Sequence, residues 1–202
     1  MTPKRDVDAF DARAAGYEDG WLGRLHRDIA DRAAALAVAT VPAPRRVLDV
    51  GCGTGYLLRA LAGAFPDVDR LDGVDPAPSM VAVATASAQT GRLRCRSGVA
   101  EHLPYPDDTF DLVATVTSFD HWEDQRAGLA ECARVLRPGG ALVLVDQFSP
   151  WSLWSAPTLW AGRRGRARTV RRCTRLLQEA GFRSPVWHPV SMTLIKAVTA
   201  HA

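Results

Sequence analysis

Val47-Leu48-Asp49-Val50-Gly51-Cys52-Gly53-Thr54-Gly55 decides the fold. A hydrophobic run ends in a glycine-rich turn, and Tyr56-Leu57-Leu58-Arg59-Ala60-Leu61 then reads as the first turns of a helix. Strand, tight turn, helix is the opening of a nucleotide-binding α/β unit. Glycine carries no Cβ, so a ligand can lie against bare backbone and the chain can adopt left-handed angles. Val-Leu-Asp-Val suits a strand covered on both faces of a parallel sheet. Asp49 breaks the pattern with a carboxylate inside an apolar strand. A buried acid without a partner is costly. Asp49 must therefore accept from backbone N–H groups of the turn or meet a cationic ligand.

The glycine spacing narrows the ligand. A dinucleotide turn places its third glycine at position 56, for close helix–sheet packing. Here the third glycine is Gly55 and position 56 is Tyr56, which argues against a nicotinamide-dependent oxidoreductase. A second strand over Leu71–Val74 ends at Asp75, about 24 residues beyond Gly51 and near the roughly 20 expected of an acid that binds a ribose. A carboxylate can accept from two vicinal hydroxyls at once. Asp75 could equally cap a helix starting near Pro76, Pro78 or Ser79.

The rest of the chain bounds the answer. Its 202 residues, 47% hydrophobic, suffice for one domain with its own core. A net charge of +3 does not demand nucleic acid as a partner. Cys52, Cys95, Cys132 and Cys173 are widely spaced and fit reduced thiols in a cytoplasm, not a disulfide framework or a metal site. No signal peptide or membrane-spanning run is expected. Residues 22–39 carry Leu22, Leu25, Ile29, Ala33 and Leu36 at helical steps, and Pro42 and Pro44 end that helix. Leu93–Ser97 is a short third strand, Phe110–Thr117 a β-branched fourth. A helix over Ala127–Leu136 stops at Arg137-Pro138-Gly139-Gly140, ahead of a fifth strand over Ala141–Phe148. A last helix over 169–181 precedes closing strands at Phe182–Val190 and Ser191–Val198.

Several of these segments together resemble the class I S-adenosylmethionine (SAM)-dependent methyltransferases, of the small-molecule type typified by menaquinone and ubiquinone biosynthesis. The first is the nonapeptide at 47–55. The others are Gly98-Val99-Ala100-Glu101-His102-Leu103-Pro104, Phe110-Asp111, and the helix-Leu-x-Pro-Gly-Gly-strand passage around Pro138. Asp6–Asp19, with Phe10 and Tyr17, resembles the segment that precedes the core in such enzymes. The resemblance covers residues 8–148 well and the remainder loosely. It implies a Rossmann-like, doubly wound, seven-stranded and mostly parallel sheet with a C-terminal antiparallel hairpin and helices on both faces. It divides one domain into a helical cover at 1–40, a cofactor-binding core at 45–148, and helices and closing strands at 149–202.

The resemblance also implies transfer of a methyl group from SAM to a small-molecule acceptor by in-line displacement. It places the cofactor against Asp49, Gly51, Cys52, Gly53, Gly55, Asp75, Pro76, Met80, Val99, Ala100, Glu101, Thr117 and Tyr17. Val99 departs from the family, which often has an Asp there for the adenine amino group; main-chain contacts at Ala100 are expected to take its place. Tyr17 and Trp21 would roof the cleft, unless Phe10 and Tyr17 merely staple a leading helix. His121, Asp120 and Asp146 would orient or deprotonate the acceptor; alternatively Asp120 caps the next helix and His121 packs under the cofactor. Competing functions are a non-catalytic SAM-binding protein, an RNA methyltransferase and another nucleotide-dependent enzyme. Trp151, Trp154 and Trp160 could wall an aromatic substrate, or be core or a dimer face. Arg163, Arg164, Arg166, Arg168, Arg171 and Arg172 could grip an anion or form a solvated face.

Overall fold

The computed structural model describes residues 4–88, 91–148, 169–191 and 194–202. The chain runs α1 (Lys4–Asp11), α2 (Gly20–Thr40), β1 (Arg46–Val50), α3 (Tyr56–Ala64), β2 (Arg70–Asp75), α4 (Pro78–Ala86), β3 (Leu93–Ser97) and β4 (Phe110–Val116). It continues with α5 (Gln125–Val135), β5 (Leu136–Gln147), α6 (Val170–Glu179), β6 (Arg183–Ser191) and β7 (Ile195–His201). The seven strands form one sheet in the order β3-β2-β1-β4-β5-β7-β6. β1 to β5 pair in parallel, and β7 runs antiparallel to both β5 and β6. This is the doubly wound, Rossmann-like architecture that the family resemblance implied.

Strand side chains alternate between two cores. Val47, Leu71, Leu112 and Val143 pack with Ile29, Ala33 and Ala37 of α2 and Leu57, Leu58 and Leu61 of α3. Leu48, Val113, Leu142 and Leu144 face the other way, onto Leu129 and Cys132 of α5 and Cys173 and Leu177 of α6. Because both faces are covered, the central strands read as unbroken apolar runs. Burying one such leucine is worth roughly 1.5–3 kcal/mol. No helix among the described residues is long and apolar enough to cross a membrane.

Two boundaries differ from the sequence expectation. β5 begins at Leu136, directly after α5 ends at Val135, and not at Ala141, and it carries the Pro-Gly-Gly turn within it as a bulge. Gly139 takes φ +79° and a Cβ on Gly140 would stand 2.9 Å from the Arg137 carbonyl oxygen, so the backbone turns here as the Pro-Gly-Gly residues indicate, with Gly139 N–H donating to the Ala202 carbonyl and Ala202 N–H to the Gly140 carbonyl. A register shift between Phe110 and Leu112 accommodates it. The closing hairpin sits further along than the sequence suggested, because Ala197, Val198 and Ala200 are the residues that bury against β5. Pro189 is tolerated because β6 is an edge strand.

Candidate functional site

In an open α/β sheet, ligands bind beyond the carboxyl ends of the strands where the strand order reverses. Here that point lies between β1 and β4. A cleft opens there, enclosing about 900 Å³ with its mouth included. Its floor is the glycine turn. Gly51 and Cys52 donate their N–H groups to the Val74 carbonyl at 2.7 and 3.1 Å, which latches the turn to β2. Gly51 has φ +78°, and a Cβ there would lie 1.8 Å from Ser118 Oγ. Gly53, at φ +51°, has nothing within 4 Å of where a Cβ would stand. The backbone is bare on the cleft side.

Two carboxylates flank this floor. Asp49 is 1% exposed, and its Oδ1 has no partner among the described residues. Burial, with Asp75 nearby, pushes its pKa up to about 8. Asp75 also lines the cleft, but its oxygens are already engaged. Oδ2 accepts from Gly53 N–H and Oδ1 from Ala77 N–H, both at 2.9 Å. Burial raises its pKa and those two donors pull it back. Asp75 does not cap α4, whose N-cap is Ala77 with no side-chain bond; its carboxylate ties the glycine turn to the residue ahead of that helix, and lone pairs remain for a further donor.

The amino-terminal segment closes the cleft from above. Phe10, Tyr17 and His26 line it. Tyr17 stacks on His26, with centroids 5.2 Å apart, and Met80 packs under Phe10 and Tyr17. Trp21 does not join them: it is 66% exposed and lies off the cleft wall. The segment is held down by polar contacts. Glu18 Oε1 accepts from Thr54 Oγ1 and from an Arg59 guanidinium N–H, each at 2.6 Å. Asp11 accepts from Ser79 N–H at 2.8 Å, and Arg27 donates to the Glu18 carbonyl. Glu18, Arg59, Thr54 and His26 are residues that sequence reasoning passed over. His26 is also notable electrostatically: burial, then Arg13, lowers its pKa, and its Nδ1 has no partner among the described residues.

The far wall follows β4. Thr117 has φ +52°, and its N–H donates to the Val145 carbonyl at 2.8 Å. Ser118 Oγ accepts from Trp122 Nε1 at 3.1 Å. His121 lines the cleft and meets the Phe10 ring edge-on at 5.0 Å, so it packs on the cover. Asp146 is buried behind this wall. Its Oδ2 accepts from Asp120 N–H at 3.0 Å and its Oδ1 from Gln147 N–H at 2.7 Å. Asp124, not Asp120, caps α5, accepting from Arg126 and Ala127 N–H.

Of the residues singled out from sequence, Tyr17, Asp49, Gly51, Cys52, Gly53, Asp75, Pro76, Met80, Thr117 and His121 come together on the cleft wall. Gly55, Val99, Ala100, Glu101, Asp120 and Asp146 do not line it. Gly55 instead starts α3 at φ +79°. Val99 bridges to His102, Ala100 is buried, and Glu101 accepts from Glu123 and Asp124 N–H, bracing the loop after β4. Trp151, Trp154, Trp160 and the arginines at 163–168 lie outside the described residues. Arg171 and Arg172 are exposed on α6.

Residues 48–144 match the family model described as a methyltransferase domain. The chain is also 35% identical over 195 residues to a malonyl-[acyl-carrier protein] O-methyltransferase of Halorhodospira halophila, covering 94% of this chain and 65% of that one. A demethylmenaquinone methyltransferase of Deinococcus radiodurans is 41% identical to this chain over 137 residues, which is 67% of this chain and 52% of that one. The chain thus spans about half to two thirds of the length of these relatives. A SAM-dependent methyltransferase from Aquifex aeolicus superposes with TM-score 0.75 at 20% identity, over 95% of this chain and 97% of that one; the likeness is one of fold.

SAM is the cofactor that the sequence resemblance implies for this cleft. The cleft fits it on two counts. The uncovered backbone at Gly53 admits a ligand at van der Waals distance. The unpartnered, buried Asp49 carboxylate calls for a positive group, which SAM carries.

Proposed function

We propose that the chain transfers a methyl group from SAM to a small-molecule acceptor. The single observation that carries this reading is Asp49: a buried acid with an open oxygen beside a bare glycine turn, at the sheet's switch point. Bound there, SAM supplies a methyl group made electrophilic by the adjacent sulfonium. The residues of the chain do the rest. Asp49 balances the positive charge. Asp75 accepts from the ribose hydroxyls while holding Gly53 and Ala77. Phe10, Tyr17 and Met80 exclude water from above. His121 orients the acceptor from the far wall, and Asp146 fixes that wall through the Asp120 N–H.

Such a site needs no strong base. Holding a nucleophile in line supplies on the order of 7–11 kcal/mol. The wall near Phe10, Tyr17, Leu57 and Val116 is apolar and aromatic, which suits an organic acceptor with a planar face. The names of the two relatives support acceptors of the quinone or acyl-thioester kind. Four free cysteines support a cytoplasmic setting.

The test is a thermal-shift and calorimetric titration with SAM and S-adenosylhomocysteine, then methyl-label transfer to quinone, phenol, amine and malonyl-thioester acceptors. Stabilisation by both ligands, with label on one acceptor class, is the expected result. Binding without transfer to any of them makes the chain a SAM-binding protein; no binding removes the reading altogether.

A further inference from the structure

We propose that Cys52 and Cys95 form a peroxide-oxidisable dithiol site beneath the glycine turn, whose disulfide closes the cofactor cleft. The inference rests on the cleft assignment above, and goes beyond it.

The pair is assembled by a missing side chain. β2 and β3 run parallel, and Gly73 stands in register with Cys95. Residues in register on neighbouring strands point to the same face. A Cβ on Gly73 would lie 2.7 Å from Cys52 Sγ. Cys52 therefore sits over the bare backbone of Gly73, and Cys95 flanks the same spot from the edge strand. Both thiols belong to one packed cluster. A side chain at position 73 would part them.

The two thiols are not equivalent. A hydrogen bond from Cys52 holds the Cys95 thiol below the ordinary range, against the opposing effects of burial and of Asp49, Asp72 and Asp75. That same hydrogen bond, then burial and the carboxylates, raises Cys52. Cys95 is half-buried on an edge strand, so a small oxidant can reach it, whereas Cys52 is 6% exposed. Cys95 is the attacking sulfur and Cys52 the resolving one. The Cys95 thiolate attacks a hydroperoxide oxygen, breaking the O–O bond; the alkoxide or hydroxide leaves and takes up a proton, and Cys95 becomes a sulfenic acid. The Cys52 sulfur then displaces hydroxide from that sulfenic acid, and the Cys52 proton leaves with it as water. Two thiols are oxidised to a disulfide and one hydroperoxide is reduced to alcohol or water.

The bond matters because of where Cys52 lies. Its own N–H and that of Gly51 donate to Val74, and Gly53 N–H donates to Asp75. These contacts shape the floor on which the cofactor rests. Bringing the Cys52 sulfur to about 2 Å from Cys95 Sγ pulls the turn toward β3. Asp75 and Gly53 then part, and the cleft loses its floor.

Reduced protein is exposed to hydrogen peroxide or tert-butyl hydroperoxide, then followed by intact mass, peptide mapping and SAM calorimetry. The expected result is loss of two hydrogens, a Cys52–Cys95 cross-linked peptide, and SAM affinity lower by about tenfold or more, restored by dithiothreitol. Cys95→Ser is expected to bind SAM like the reduced wild type and to keep that affinity after peroxide. A cross-link between other cysteines, equal peroxide sensitivity in Cys95→Ser, or unchanged affinity of the cross-linked protein each overturns the proposal. If the reduced wild type does not bind SAM, the cleft assignment itself fails, a result distinct from all of these.

Discussion

Glu18 and Arg59 form an ion pair at 2.6 Å that ties the amino-terminal cover to the first helix after the glycine turn. The same Glu18 oxygen accepts from Thr54, a residue of the turn itself. The cover is thus fastened to the cofactor floor through one carboxylate. A hydrogen bond to a charged group contributes roughly 1.5–3 kcal/mol, and partial exposure reduces that. Glu18→Ala is expected to weaken SAM binding by about 1–2 kcal/mol, roughly five- to thirtyfold. Amide exchange is expected to rise across residues 7–18 with little change in β4 or β5. Unaltered exchange in the cover would show that Glu18 does not fasten it.

Asp49 gives the site a pH dependence of definite sign. Its folded-state pKa, about 8, lies above the value near 4 of a free aspartate. Between those values the folded chain holds a proton that the unfolded chain has released, so Asp49 makes stability fall as pH rises across that window. A bound cation favours the ionised form and reverses the shift. SAM binding is therefore expected to release up to about one proton near pH 7, with affinity rising by at most about tenfold per pH unit from pH 6 to 8. Calorimetry in buffers of different ionisation enthalpy reads this directly. Asp49→Asn is expected to abolish the proton release and to bind SAM more weakly. Proton uptake, or none, in the wild type would mean that Asp49 does not face the charge.

What the sequence made legible was local. The Val47–Gly55 run declares a strand and a left-handed turn into a helix within nine neighbouring residues, so its geometry follows from residue type alone. Asp75 was legible by its distance from that turn. The clasp was not: Glu18 meets Thr54 and Arg59 across 36 and 41 residues, and no periodicity marks such a contact. His26 was read only as one turn of an amphipathic helix, since nothing local shows that α2 turns it toward Tyr17. The Pro138-Gly139-Gly140 turn was legible, with Gly139 at φ +79°, but not that Leu136 ahead of it already pairs with Phe110 or that Gly139 reaches the distant Ala202. Glu101, matched as a cofactor position, braces the backbone at Glu123 and Asp124, a role that a motif cannot separate from cofactor contact.

Gly51 cannot tolerate a side chain for two independent reasons. Its φ is +78°, and a Cβ would overlap Ser118 Oγ at 1.8 Å. Left-handed strain alone costs of order 1–3 kcal/mol. Ser118 must also give way, and it accepts from Trp122, which is buried. Gly51→Ala is expected to lose about 2–4 kcal/mol of stability in denaturant melts, together with SAM binding. Adding Ser118→Ala or Ser118→Gly removes the overlap but not the φ cost, so part of the stability should return. Full stability in the single variant would contradict the described turn.

Asp75 serves the turn now and would serve the ribose when SAM is bound, and the two roles can be separated. Its carboxylate holds Gly53 and Ala77 at 2.9 Å. Removing it in Asp75→Ala is expected to lower the melting temperature and weaken SAM binding by about ten- to a hundredfold. That loss mixes a loosened turn with a missing ribose contact. A cycle resolves them: wild type and Asp75→Asn, each titrated with S-adenosylhomocysteine and with its 2′-deoxy analogue. If the carboxylate accepts from a ribose hydroxyl, the wild type prefers the ribo ligand and Asp75→Asn loses most of that preference, a coupling of about 1–2 kcal/mol. If Asp75 only shapes the turn, both proteins discriminate between the ligands equally, and the acid that closes β2 is a scaffold for Gly53 alone.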